Sequence, residues 1–155
     1  MKNYFINRAI ELSQNNLETN EGGPFGAVIV RDNEIIGEGR NLVTSTNDPT
    51  AHAEIVAIRN ACQNIGSFSL ENCEIYTSCE PCPMCLAAIY WTRISNIYYA
   101  NTKYDAAEIG FDDSYIYDQI AISPEERDLE MRKLDSQKAK EVFMNWKNKS
   151  DKVEY

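Results

Sequence analysis

His52 is the only histidine in the chain, and it stands two residues before Glu54 in the run Thr50-Ala51-His52-Ala53-Glu54; Cys82 and Cys85 follow thirty positions on, in Glu80-Pro81-Cys82-Pro83-Met84-Cys85. Two thiols three apart at the start of a helix share one face, where the positive end of the helix dipole favours thiolates. Thiolates so placed suit a soft tetrahedral cation such as zinc, and His52 offers a third ligand from a second helix start. The fourth position is then left to water, which separates catalytic from structural zinc. Any fold using this set must therefore bring two distant helix beginnings together. A lone imidazole also excludes sites that need two or more, such as a His₂Cys₂ finger, a His₃ hydrolase or a facial triad.

Glu54 gives the set a chemical direction. Zinc lowers the pKa of a water it holds from about 15.7 towards about 7, and a carboxylate alongside that is not a ligand can take up the released proton and pass it on. Positions two apart on an ideal helix diverge by about 200°, so periodicity alone does not carry Glu54 to the same place as His52. The helix end must be shaped to do so. A competing reading is a closed Cys₃His zinc site with no catalysis, formed by Cys79, Cys82, Cys85 and His52; such a site has no need of Glu54. Isoleucine at position 89, where a fourth cysteine would fall, argues against an iron–sulfur run. Cys62 and Cys73 read as small buried hydrophobes.

A chain of 155 residues holds one well-filled core, so residues 1–155 are read as a single domain. Fifteen Lys plus Arg against 24 Asp plus Glu give a formal charge of −9, which repels phosphate backbones and anionic membranes; no nucleic-acid partner is expected. The opening residues interrupt their apolar positions with Asn7, Arg8, Glu11 and Gln14, unlike a signal or transit peptide. No apolar run approaches the ~18 residues of a membrane span. These features predict a cytoplasmic protein whose cysteines are thiols or ligands and not disulfides.

Phe5, Ile6, Ala9 and Leu12 predict a helix over 3–16, broken by Gly22-Gly23-Pro24. Ala27 to Val30 reads as a buried strand that turns at Asp32-Asn33 into a second around Ile35-Ile36. Asp48-Pro49 looks like a cap and first turn, with apolar spacing running to Gly66, which puts His52 and Glu54 in the first turn. Residues 73–77 read as a strand, Pro81 as the opening of another helix to about Thr92, and Asn96 to Ala100 as the next strand. The alternation is that of an α/β protein. Leu129 to Leu134 reads as a last edge strand, and Ala139, Val142, Phe143 and Trp146 as a C-terminal amphipathic helix capped near Ser136.

The H-x-E and P-C-x-x-C pair matches the signature of zinc-dependent base deaminases. The chain resembles the cytidine and deoxycytidylate deaminase superfamily, and within it the bacterial guanine deaminases along nearly its whole length. The stretches that carry the likeness are Gly22 to Val30, Asn47 to Ile55, Tyr76 to Trp91, and Asp105 to Glu108 through Gly110-Phe111-Asp112-Asp113-Ser114, with Lys-Val-Glu-Tyr at the end. The resemblance implies a three-layer α/β/α sandwich around a five-stranded mixed sheet, one zinc per chain held by His52, Cys82 and Cys85, and Glu54 as proton shuttle. It implies hydrolysis of a small purine base, guanine, at C2 to xanthine and ammonia, with Phe25 and Trp91 lining the base, Asn41 hydrogen-bonding it and Asp113 near its 2-amino end. It also implies a homodimer in which the C-terminal segment, 136–155, can pass between subunits, so that Tyr155 contacts the base in the neighbouring chain. Taken without the resemblance, Phe25 and Trp91 are ordinary core aromatics, Asn41 a turn residue, and Asp112 and Asp113 helix caps. Other free bases and nucleosides (adenine, guanosine, cytosine) and transfer-RNA adenosine are the competing substrates.

Overall fold

A computed structural model describes residues 1–155. The chain divides into two compact units, residues 1–114 and 115–155. In the first, helix α1 (Lys2–Thr19) leads into strands β1 (Gly26–Arg31) and β2 (Glu34–Arg40), a short turn of helix α2 (Val43–Thr46), and helix α3 (Ala53–Ile65). Strand β3 (Glu74–Cys79), helix α4 (Pro83–Thr92), strand β4 (Asn96–Asn101) and helix α5 (Lys103–Glu108) follow. The β1–β2 hairpin turns where the sequence predicts, with Asp32 and Asn33 both at positive φ (51° and 66°), the conformation a tight two-residue hairpin demands.

The sheet order is β2-β1-β3-β4, antiparallel except for the β3–β4 pair. β1 is buried on both faces because its side chains alternate between two cores. Val28 and Val30 meet Phe5 and Leu12 of α1 with Tyr76 of β3. Ala27 and Ile29 meet Ala53, Ala57 and Ala61 of α3, Ile75 of β3 and Ile89 of α4. The three layers follow from that alternation: α1, the sheet, then α3 and α4. The alanine stripe of α3 faces Gly37 and Gly39 of β2, and a Cβ on Gly39 would lie 2.2 Å from the carbonyl oxygen of Ala53. The absence of a side chain there lets the start of α3 settle directly on the sheet.

The expected fifth strand is absent: the sheet has four. Residues 129–134 form no strand, and Leu129 and Leu134 are 77% and 87% exposed. Alternating apolar residues become a strand only when a neighbour supplies a hydrogen-bond ladder, and within this chain the segment has none. The second unit holds α6 (Ser114–Ala121), which begins at its boundary, a 3₁₀ turn at Pro124–Glu126, and α7 (Gln137–Asn148). Ser136 caps α7 as expected, its hydroxyl accepting from the Ala139 N–H at 3.3 Å. No helix is long and apolar enough to cross a membrane.

Candidate active site

Both ligand-bearing segments begin their helices later than the sequence suggests, and that displacement builds the site. Asp48 does not start a helix; its carboxylate accepts from the Thr50 N–H and hydroxyl at 2.8 and 2.7 Å, forming a local turn. α3 starts at Ala53, with His52 as its N-cap residue in extended conformation (φ −68°, ψ 156°). α4 likewise starts at Pro83 and not at Pro81, with Cys82 as an extended N-cap (φ −66°, ψ 169°). His52 therefore lies outside the helical spiral that would have turned it away from Glu54. The same geometry places Cys82 at N-cap and Cys85 at the third helical position, side by side.

The Nδ1 of His52 lies 3.5 Å from the Sγ of Cys82 and 3.6 Å from that of Cys85. A tetrahedral ion with bonds of about 2.0–2.3 Å to nitrogen and sulfur holds its ligand atoms about 3.6 Å apart. All three atoms lie within 4.8 Å of one another, so the donor set fits zinc in both chemistry and spacing. The Cys82 thiol is held down to about 4, first by the hydrogen bond from Cys85 and then by His52, against the opposing effect of burial. Cys85 is pushed up by that same bond and by burial. The hydrogen bond with Cys82 in turn raises the pKa of His52.

Glu54 is 7% exposed and is pushed up to about 7, mainly by burial. It is close enough to Cys85 and His52 to feel both. A carboxyl poised there near neutral pH can both accept and release a proton. Cys79 stands apart: its thiol donates to the carbonyl of Thr102 at 3.5 Å, and burial pushes it up to about 11. It does not join His52, Cys82 and Cys85, so the closed four-ligand arrangement is not formed. Cys73 is buried and Cys62 packs beside the same core.

Around this cluster the structure distributes the remaining candidates unevenly. Phe25 packs edge-on against Phe111, ring centroids 4.9 Å apart, and Phe111 is a neighbour that the sequence offers without a role. Asn41 is buried; its Oδ1 accepts from the Val43 N–H at 3.1 Å, and its amide Nδ2 makes no bond within the chain. Asp112 is a local cap, accepting from the Ser114 N–H at 2.9 Å. Asp113 is raised by burial and then by the charge of Cys82, which puts it within electrostatic reach of the ligands. Trp91 is 67% exposed, at the opposite end of α4 and about 13 Å along its axis from Cys82 at 1.5 Å per residue. This chain does not bring it to the ligand atoms. Tyr155 is the exposed last residue, in the second unit.

The profile of the cytidine and deoxycytidylate deaminase zinc-binding region matches residues 1–101. The chain belongs to this family. Among members of this deaminase family, the guanine deaminase of Bacillus subtilis (strain 168) is 50% identical over 151 residues, 97% of each chain. A crystal structure of guanine deaminase from Bacillus subtilis superposes with a TM-score of 0.95 at 50% identity, covering 99% of this chain and 98% of that one. The tRNA-specific adenosine deaminase of Aquifex aeolicus (strain VF5) is 40% identical over 99 residues, 64% of this chain and 65% of that protein. The family's zinc-binding region spans residues 1–101, and within it His52, Cys82 and Cys85 form a group that could hold the ion.

Proposed function

We propose that the protein is a zinc-dependent aminohydrolase that converts guanine and water to xanthine and ammonia. The observation that carries this reading is the likeness to a guanine deaminase over 97% of both chains, which extends well past the region matched by the deaminase family profile. His52, Cys82 and Cys85 hold the zinc, which when bound acidifies water and so supplies a nucleophile at neutral pH. Glu54 accepts a proton from the attacking water as its oxygen bonds to C2 and returns it to the ring nitrogen; it then carries the proton of the new C2 hydroxyl to the amine as the C2–N bond breaks, leaving the carbonyl of xanthine and releasing ammonia. The raised pKa of Glu54 suits both directions of that traffic.

Phe25 gives the ring an apolar surface, and the uncommitted Nδ2 of Asn41 donates to an acceptor on the purine. Asp113 accepts from the 2-amino end. The chain works as a cytoplasmic homodimer in which 136–155 is exchanged, Tyr155 closing over the base in the other subunit and Trp91 contributing from outside the ligand cluster. Exposed apolar residues on α7, among them Val142 and Phe143, support a partner for that helix.

Incubation of zinc-loaded protein with guanine, adenine, cytosine and their nucleosides, followed by ammonia release, is expected to show guanine turned over fastest. Faster release from adenosine or cytidine would reassign the substrate. In the same assay, removing the last residues is expected to weaken guanine turnover while the melting temperature holds; unchanged kinetics would leave Tyr155 without a role.

A further inference from the structure

The apolar stripe of α1 that runs through Phe5, Ala9 and Leu12 continues to a polar residue, Asn16, which is only 2% exposed. Its Nδ2 donates to two carbonyl oxygens at once, those of Gly23 and Asn41, each at 2.8 Å. Carbonyls only accept, so the amide can be oriented in one way. Its Oδ1 is then buried with no partner in the protein. An orphaned acceptor is costly, and what stands against that cost is the pair of donors that satisfy the Gly23 and Asn41 carbonyls.

Those donors close a ring. The Phe25 N–H donates to the Gly23 carbonyl at 2.8 Å, and the Asn41 N–H donates to the Phe25 carbonyl at 3.1 Å. With the two bonds from Asn16, the segments carrying Phe25 and Asn41 are locked to each other and to α1. Gly22 completes the fit, because a Cβ there would lie 2.2 Å from the Oδ1 of Asn41. We infer that Asn16 is a positioning residue for base recognition, which sets Asn41 and Phe25 relative to each other without touching substrate.

This rests on the proposal above that Asn41 and Phe25 contact the base, and the test separates the two. Asn16→Ala is expected to raise KM for guanine roughly tenfold or more through lost alignment, with kcat within about twofold and about one zinc per chain. Leu12→Ala, which loosens the same helix but removes none of the ring's hydrogen bonds, is expected to lower the melting temperature with KM unchanged. Combined with Asn41→Ala, the Asn16→Ala increase in KM is expected to fall well short of multiplying. An unchanged KM in Asn16→Ala, an equal rise in Leu12→Ala, or independent multiplication of the two effects would each overturn the inference while Asn41→Ala still impaired binding. Inert Asn41→Ala would instead remove the recognition reading, and the role of Asn16 with it. Should Asn16→Ala fail to fold, the isosteric Asn16→Asp, which turns a carboxylate towards both carbonyls, is expected to give the same KM rise.

Discussion

Glu54→Gln is expected to lose roughly 10³-fold in kcat, within the 10²–10⁴ that a positioned acid–base group contributes, while keeping about one zinc per chain. The substitution preserves shape and burial but cannot take a proton. Steady-state kinetics with metal analysis checks it; retained activity would end the proton-shuttle role. The same variant carries a stability signature. Glu54 titrates near 7 in the folded protein against 4.5 for an ordinary glutamate, mainly through burial. A carboxyl whose folded pKa is raised favours folding when protonated, so its ionisation destabilises progressively as pH rises from about 4.5 through about 7. In metal-free protein this cost is of the order of 3 kcal/mol at pH 8. Glu54→Gln removes it, and the metal-free variant is expected to melt higher than the parent at pH 8 with little difference at pH 4. A lower melting temperature at pH 8 would mean that the ionised carboxylate is stabilised by its neighbours.

Cys82→Ala is expected to lose the zinc and all measurable guanine turnover, because two remaining ligands from separate helices do not make a tight site. Cys79→Ala is expected to retain about one zinc per chain and turnover within about threefold, since its thiol faces the Thr102 carbonyl and not the ligand atoms. Metal content after dialysis, measured beside ammonia release, separates the two variants. Loss of zinc from Cys79→Ala would restore the closed Cys₃His site as the better description.

The candidate ligand set is legible in the sequence because its chemistry is carried by residue type and spacing, and the structure brings those three side chains together. How Glu54 joins them is not legible there. The answer lies in two backbone angles at His52, the extended N-cap that follows the Asp48 turn. The strands around Val28 and Ile75 were read correctly because alternation and β-branching are local signals. Gly39 was silent, since a close approach of helix to strand shows only when the neighbour is known. Asn16 left a faint trace as a polar residue in line with an apolar stripe, but its acceptors come from residues 23 and 41, beyond any helical period. The strand expected at Leu129 to Leu134 had the right residues and no ladder within the chain.

Two helices away from the chemistry are finished with side chains: Thr102 and Asp105 form a reciprocal cap on α5, and Ser136 caps α7. α3 begins with His52, whose side chain accepts no bond from its own helix, while α4 begins with Cys82, whose sulfur is tied to Cys85 one turn in and to His52 across the site. Both side chains are turned towards each other and not spent on closing their own first turns in the way Thr102 and Ser136 are. A metal held by these residues would join the two helix starts across thirty residues of chain. Removing the ion would thus loosen the two helix starts beside the reacting groups, and amide exchange there is expected to rise on metal removal.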